Sequence, residues 1–304
     1  MNTIYFFGTH EFAAAILEAV IKSGFFNIAG VVTMPDKPAG RHQEIQKSAV
    51  KIVAEKYGLK IDQPETLKNW KHPVSNFQCN LVVDYGKIIP NSIINLPPLG
   101  TINIHPSLLP KYRGASPIQT ALINGESQTG ITIMKIDTEM DHGPIIIQKI
   151  VKIEPKDTYK ELYARLAIEA GALLIQTLPD YLNGKIQPVE QDHKQATFTK
   201  MLIREDGKID FAKSASEIFN LYRGLTPWPG IFSLWNGRRL KLLKIQKNNK
   251  DITAGKVVVE NKKIFIGCGN GSITVQELQL EGKKTTLAEI FLNGYPNFNG
   301  SQLS

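Results

Sequence analysis

The sequence predicts an α/β protein in which a doubly wound domain with a mainly parallel sheet is followed by a small β-barrel. Strand and helix patterns alternate through the first half, as in βαβ units. Short strands separated by tight turns fill the last third, which suits a barrel of OB-like size. The segment between them is polar and weakly periodic. We therefore predict domains at 1–184 and 207–304, joined by a linker at 185–206.

The elements of the first domain follow from apolar periodicity. The predicted strands are Thr3–Phe7, Ile28–Thr33, Asn80–Asp84, Thr101–Ile104, Gly130–Ile136 and Pro144–Ile153. The predicted helices are Phe12–Val20 with Gly24 as a stop, Val50–Tyr57, one from Ser116–Pro117 to Asn124, and a long amphipathic helix that Asp157 opens.

The second domain is predicted to contain one helix, Ala215–Tyr222, and five strands. Asn-Gly pairs at 236–237 and 270–271 are typical of hairpin turns. The predicted strands are Phe232–Trp235, Leu240–Ile245, Lys256–Val259, Ile264–Ile266 and Ile273–Leu278.

Composition restricts the class of protein. A chain of 304 residues with 42% hydrophobic and 21% charged residues is typical of folded soluble proteins. Its two cysteines, Cys79 and Cys268, exclude a disulfide scaffold and a cysteine-rich metal site and suit a reducing cytoplasm. The N-terminus resembles a strand rather than a signal peptide, and the sequence has no long apolar span. We expect a cytoplasmic protein without a membrane partner, and a monomer by default.

Charge is distributed unevenly along the chain. Residues 1–199 hold 20 Lys/Arg and 19 Asp/Glu, a net +1, whereas residues 200–304 hold 16 and 9, a net +7. This asymmetry favours a polyanionic partner held mainly by the second domain. Lysines scattered for solubility are the alternative.

The segment 101–122 carries the strongest chemical pattern. Asn103 and His105 are two residues apart at the end of a strand, so they face the same way, at the edge where open α/β sheets bind ligands. Pro106 stops the strand, and Ser107 to Pro110 form a turn-prone loop. Lys111 and Arg113 add cations, and Gly114 permits close backbone approach.

A carboxylate follows in a later loop, at Asp141. An amide that donates to an oxyanion, an imidazole that moves a proton and a carboxylate that orients it together suit acyl transfer. Each residue also has a structural alternative: a surface histidine, a turn-stabilising asparagine and a turn aspartate. Asp137 competes for the role given to Asp141.

Other catalytic patterns are missing from the sequence. There is no GxSxG, GxGxxG, HExxH or EF-hand pattern. We predict no metal site, and we expect the remaining histidines to lie at the solvated surface because they lack ligand spacing; they are His10, His42, His72, His142 and His193.

These residues, with others spread over nearly the whole chain, resemble the 10-formyltetrahydrofolate-dependent formyltransferases. The first-domain segments that carry the resemblance are FFGTHEFA (6–13), MPDKPAGR (34–41), VVDYGKIIP (82–90), NIHPSLLPKYRGASPIQ (103–119) and TGITIMKIDTEMDHGPI (129–145). Those in the second domain are DGKIDF (206–211), LTPWPGIF (225–232), LEGKK (280–284) and FLNGYP (291–296).

The resemblance implies a Rossmann-like formyl-transfer domain followed by an OB-like domain that binds tRNA. It implies 10-formyltetrahydrofolate as donor and the α-amino group of methionyl initiator tRNA as acceptor. Asn103, His105 and Asp141 match the family's catalytic residues. Lys37 and Arg41 match a loop that meets the acceptor stem. The segment matching the folate site is Ser107, Leu108, Leu109 and Pro110.

The chain departs from the family pattern at Asp84, where a small residue is common. If it were buried, that carboxylate would need a partner. Two other functions remain open: formyl transfer to a sugar nucleotide, and RNA binding without catalysis.

Overall fold

The computed structural model describes residues 2–39, 44–73 and 76–304, which group into two compact units. The first unit comprises Met1–Gly114, Gln128–Lys152 and Tyr163–Thr199. The second comprises Ala115–Ser127, Ile153–Leu162 and Lys200–Ser304. The domain limits drawn from the sequence stay predictions.

A seven-stranded sheet forms the centre of the first unit. The strands of this unit are β1 (Asn2–Gly8), β2 (Phe26–Val32), β3 (Lys37–Ala39), β4 (Glu44–Gln46), β5 (Ile61–Asp62), β6 (Cys79–Val83), β7 (Thr101–His105), β8 (Arg113–Gly114), β9 (Gln128–Lys135), β10 (Ile145–Lys152) and β11 (Phe198–Thr199). The sheet order is β10-β9-β7-β6-β1-β2-β5. The neighbouring strands from β7 to β5 pair in parallel. At the other end of the sheet, β9 pairs antiparallel with both β7 and β10. The predicted, mainly parallel, sheet is confirmed.

Of the helices that the structure describes in the first unit, three lie where the sequence predicted them, and a short one at Asn91–Ile94 was not predicted. Helix α1 (Glu11–Ser23) buries Phe12, Ile16 and Leu17 and ends at Gly24. The others are α2 (Ala49–Lys56), the short α3 (Asn91–Ile94) and α5 (Tyr159–Leu182), whose residues from Tyr163 belong to this unit.

The start of α5 differs from the prediction. The helix begins at Tyr159 rather than at Asp157, because Thr158 provides the cap: its N–H and its hydroxyl both donate to the Glu161 carboxylate. Asp157 instead accepts the Glu154 N–H at 2.6 Å. The Thr-x-x-Glu pattern is visible in the sequence and is the stronger start signal.

The carboxyl ends of the parallel strands position the candidate site. Strands β6 and β7 are in register at Val82 and Asn103, and β7 ends at His105. His105 is in turn paired with Thr132 of β9. Side chains from three neighbouring strands therefore meet at one edge of the sheet.

The second unit is built on an antiparallel sheet of OB-like type, as predicted. The strand order is β12-β13-β16-β15-β14, and β17 pairs with β16. The strands are β12 (Ile231–Trp235), β13 (Arg238–Asn248), β14 (Val257–Glu260), β15 (Lys263–Gly267), β16 (Ser272–Leu280) and β17 (Thr286–Leu287). The helices are α4 (Pro117–Ile123), α6 (Ala215–Leu225) and α7 (Ala288–Gly294). Asn236 and Gly237 both have positive φ, as the turn between β12 and β13 requires.

A buried arginine ties separate segments of the second unit together. Arg223 of α6 donates through Nε to the Asp157 carbonyl at 2.6 Å and through Nη2 to the Glu154 carbonyl at 3.0 Å. Its Nη1 donates to Asn220. Burial lowers the pKa of Arg223 from its usual value. The segment 153–162 thereby joins the unit to which α6 belongs.

The predicted linker has structure of its own. Val189 pairs with Ile145, and β11 pairs with β8 in parallel. Gln191, in the same segment, is buried. Much of this polar stretch is therefore held in place by hydrogen bonds that sequence periodicity does not report.

None of the helices in the described ranges is long and apolar enough to cross a membrane. Cys79 and Cys268 are both buried and unbonded to one another. Burial raises the pKa of Cys79 to about 12, so its thiol stays protonated at neutral pH.

Candidate active site

His105 is a buried histidine at the end of β7. Its side chain is 6% exposed, and its Nε2 lies 2.9 Å from the Tyr112 carbonyl. Its Nδ1 lies 3.6 Å from Oδ2 of Asp141, an ion-pair distance rather than a hydrogen bond. Such contacts in enzymes without substrate often shorten in the reacting complex.

Asp141 is held in a defined orientation by its own backbone and by Gly114. Its φ is +50°, a left-handed conformation that is uncommon outside glycine. Its Oδ2 accepts the Gly114 N–H at 2.8 Å. The same oxygen therefore faces both a fixed amide donor and the imidazole of His105.

The two ring nitrogens of His105 both face acceptors, a carbonyl at Nε2 and a carboxylate at Nδ1. A neutral imidazole has one N–H and satisfies one of these acceptors, whereas an imidazolium donates to both. The surroundings of the ring are therefore suited to a histidine that gains and releases a proton.

Asn103 is half-buried on β7, two residues before His105. Its carboxamide makes no hydrogen bond to any residue that the structure describes. An amide NH₂ without an internal partner is available to an oxygen of a bound substrate.

No motif or periodicity in the sequence pointed to Gln191. It is 5% exposed, and its Nε2 donates to the carbonyls of Asp141 and Gly143 at 2.9 and 2.8 Å. Its Oε1 accepts two hydrogen bonds from the guanidinium of Arg113, which is itself 3% exposed. Gln191 therefore clamps the loop that carries Asp141.

Arg113 and Gly114 form β8, which pairs with β11. Arg113, one of the two cations noted in this segment of the sequence, is buried. Gly114 has φ +108°, and a Cβ there would lie 2.6 Å from the Thr199 carbonyl. The predicted close backbone approach at Gly114 is confirmed, and the approaching backbone is β11.

Asp137, the competing carboxylate, lies against another histidine. Its Oδ2 is 2.7 Å from Nδ1 of His142. The ring of His142 stacks on that of His193 at 3.9 Å between centroids, and His193 Nδ1 is 2.8 Å from Nη2 of Arg113. Of the two carboxylates, Asp141 is the one placed beside His105.

The expectation of a solvated surface position is wrong for His72. The centre of its ring lies 4.1 Å from the ring centres of both Tyr5 and Phe77, in a cluster that includes Trp70. Aromatic packing of this kind has no short-range sequence pattern. His42 lies outside the described residues.

The segment 107–110 is held in place by hydrogen bonds to the side chain of Thr132. The Thr132 hydroxyl donates to the Ser107 carbonyl at 2.7 Å and accepts the Leu109 N–H at 3.1 Å. Gln148 donates to the same hydroxyl and to the Leu109 carbonyl, each at 2.8 Å. The backbone polar groups of Leu109 are thus used internally, whereas Leu108 and Pro110 remain half-exposed.

The basic residues near the expected RNA contact differ in exposure and in ion pairing. Lys37 is exposed on β3. Arg41 lies outside the residues that the structure describes. Lys51, a further cation of this region, pairs with Asp36 at 2.6 Å, and Lys47 pairs with Glu55 at 2.8 Å.

Asp84 is exposed rather than buried. It has φ +44° and lies just beyond the end of β6, where its Oδ1 is 3.0 Å from Nδ1 of His10. The hydrogen bond with Asp84 raises the pKa of His10 above its usual value. A carboxylate at this exposed position needs no buried partner, and it pairs with the histidine in the loop after β1.

Within the described ranges, the His, Cys, Asp and Glu side chains form no group of three suited to a metal ion. The polar groups at the sheet edge are instead an amide, an imidazole and a carboxylate, a donor set for moving protons and binding an oxyanion.

Known protein families agree with this arrangement, in which groups suited to acyl transfer lie on an α/β sheet and an OB-like unit follows in the chain. Residues 1–178 match the family model for formyl transferase, and residues 201–296 match that for the formyl transferase C-terminal domain. The chain belongs to the formyl transferase family and is a one-carbon transferring enzyme.

More specifically, the chain is similar to proteins named methionyl-tRNA formyltransferase. It is 42% identical to that of Koribacter versatilis over 301 residues, with 97% of this chain and 96% of the relative covered. It is 41% identical to that of Caldicellulosiruptor saccharolyticus, with 99% of each chain covered. The similarity thus spans both units.

Solved structures share the fold at lower identity. WlaRD, a sugar 3N-formyl transferase crystallised with dTDP and 5-N-formyl-THF, has a TM-score of 0.69 and 23% identity, covering 93% of this chain and 99% of its own. HypX from Aquifex aeolicus with tetrahydrofolic acid has a TM-score of 0.64 and 14% identity, covering 96% of this chain and 47% of its own.

We expect Gln191→Leu to lower kcat about 10- to 100-fold while the KM values of both substrates change less than threefold. The reason is that the Asp141 loop loses two donors without losing any substrate contact. Gln191→Glu keeps an acceptor for Arg113 but removes both donors, so it should show a similar loss. Steady-state kinetics and the pH profile of kcat test this.

Gln187→Leu is the matched control for Gln191, because Gln187 is exposed and donates only to the Gly184 carbonyl. Wild-type kcat in Gln191→Leu, with an unaltered pH profile, would show that the clamp does not position Asp141.

We expect the pKa of His10, measured by NMR titration, to lie above 6.5 and to fall toward that value in Asp84→Asn. Because the folded-state pKa is raised, the pair stabilises the fold below pH 6.5, and this contribution is lost as the pH rises through the folded-state pKa. Both side chains are substantially exposed, so solvent screens the effect. A His10 pKa identical in both proteins would contradict the assignment.

Proposed function

We propose that this enzyme transfers the formyl group of 10-formyltetrahydrofolate to the α-amino group of methionyl initiator tRNA. The observation that carries the proposal is the 42% identity to a methionyl-tRNA formyltransferase over 97% of the chain. A relative that shared only the first unit would support formyl transfer but would leave the acceptor open.

The reaction requires a proton to move between two nitrogens. The acceptor amine attacks the formyl carbon, a new C–N bond forms and the carbonyl oxygen becomes negative. The bond between the carbon and folate N10 then breaks, and N10 gains a proton as the amine nitrogen loses one. No oxidant or metal enters this balance.

The three candidate groups divide these tasks. The Asn103 NH₂ donates to the developing oxyanion, a role worth about 10²- to 10³-fold in rate. Neutral His105 takes the proton that the amine loses. The imidazolium formed in this way donates to the oxyanion and then passes the proton to N10. Asp141, 3.6 Å from Nδ1, orients the ring.

The donor is proposed to lie against the segment 107–110. Leu108 and Pro110 offer half-exposed apolar surface, while Ser107 and the Leu109 backbone are fixed by Thr132. A rigid segment of this kind suits the binding of a flat heterocycle, because no ordering is needed when it binds.

The acceptor is proposed to be held through its phosphates by cations, mainly those of the second unit. Residues 200–304 carry a net +7, and Lys37 is exposed on β3. Phosphate contacts of this kind weaken steeply with salt. A cytoplasmic location and a monomeric state complete the proposal.

A formylation assay with three acceptors tests the function. Methionyl initiator tRNA should be formylated by 10-formyltetrahydrofolate, whereas uncharged initiator tRNA and an amino-sugar nucleotide should not. Transfer to the sugar nucleotide alone would replace the proposed acceptor. RNA binding without formylation of any acceptor would reject catalysis.

We expect Asp141→Asn to lower kcat about 10²-fold or more, while the Kd of the folate donor changes less than threefold, because the carboxylate acts on His105 rather than on the donor. Single-turnover kinetics and folate titration measure the two effects separately.

Asp137→Asn is the matched control for Asp141→Asn, since Asp137 lies in the same region but pairs with His142. Equal losses in turnover and folate affinity for Asp141→Asn, or equal losses of turnover in both variants, would reject the role of Asp141.

A further inference from the structure

A cleft in the second unit combines an exposed indole with three cations. It has a volume of about 350 Å³. The residues that define it here, named the indole cleft, are Arg204, Trp228, Phe232, Arg239, Lys241 and Glu281. None of these residues is among the groups to which the reaction has been assigned.

Trp228 is the unusual apolar residue of this cleft. It is 56% exposed, although indole is among the side chains that most favour burial. By contrast, Trp235 at the end of β12 is 8% exposed and donates to Ser301 at 3.0 Å. More than half of the surface of Trp228 is thus open to solvent, where a planar ligand can contact it.

Two of the cations lie on one face of the sheet, on β13. Phe232 is in register with Lys241, and Arg239, two residues earlier on β13, lies on the same face. The Arg239 guanidinium is 3.9 Å from the centre of the Phe232 ring. Stacking on a ring holds the guanidinium flat and leaves its edge available for a phosphate.

The positive charge of the cleft exceeds its negative charge. Arg204 and Lys241 form no ion pair with any residue in the described part of the chain. Arg239 lies 3.8 Å from Glu205, and its backbone N–H donates to Glu281. Two uncompensated cations beside an exposed indole complement one phosphate and one unpaired base.

We propose that the indole cleft binds a nucleotide of the RNA acceptor, with an unpaired base stacked on Trp228 and its phosphate held by Lys241 and Arg204. The inference rests on the proposed function, because it takes its ligand to be the tRNA substrate. Stacking is tolerant of base identity, so the cleft adds affinity rather than sequence discrimination.

Kinetics with the full-length enzyme test the proposal. Trp228→Leu should raise the KM for methionyl initiator tRNA about tenfold, since a leucine retains apolar area but has no ring face. Lys241→Gln should raise the same KM and reduce the slope of log KM against log salt by about one. The kcat at saturating tRNA and the KM for the folate donor should stay within twofold.

Lys263→Gln is the matched control, because Lys263 is an exposed cation at the start of β15, in the same unit but outside the cleft. Thermal unfolding confirms that each variant is folded. Trp228→Phe keeps an aromatic face and should retain most of the wild-type affinity, which separates loss of stacking from loss of structure.

A second measurement uses the unmodified protein. Uncharged initiator tRNA should reduce the quenching of wild-type tryptophan fluorescence by acrylamide. This reduction should vanish in Trp228→Phe. The inference is overturned if Trp228→Leu and Lys241→Gln match Lys263→Gln, or if tRNA leaves the quenching unchanged. A wild-type enzyme that fails to formylate the tRNA would instead overturn the proposed function.

Discussion

The arrangement of the candidate site depends on one constraint, the orientation of the Asp141 carboxylate beside a buried imidazole. A strained backbone at Asp141, the Gly114 N–H and the Gln191 carboxamide together fix that orientation. Without them a carboxylate on a loop would turn to water, where it is better solvated. The acyl-transfer chemistry assigned to this edge of the sheet requires that it does not.

This constraint explains why polar residues are buried so close to the sheet edge. Arg113 and Gln191 are nearly inaccessible, yet they bond to one another and to backbone carbonyls rather than to solvent. Burying such groups is costly unless they are paired. Here the pairing fixes a loop, so the network links the stability of the first unit to the geometry of its candidate active site.

The two units carry different kinds of chemistry. The first holds proton-transfer groups among close-packed strands, whereas the second is basic and presents aromatic and cationic surface on an antiparallel sheet. A small formyl donor needs a rigid site, and a large polyanionic acceptor needs distributed charge. A basic unit joined to a formyl-transfer unit is one way to select a nucleic-acid acceptor.

The sequence by itself determined the fold class and most strands and helices, and it indicated Asn103, His105 and a later carboxylate, Asp141 or Asp137, as candidate groups. Those features follow from apolar periodicity, turn residues and short motifs, which are local. The tertiary structure decided which of Asp137 and Asp141 lies beside His105, the burial of Arg113 and the role of Gln191. These depend on contacts between residues 27 to 78 positions apart, and hydrogen bonds over such separations leave no periodic pattern in the chain.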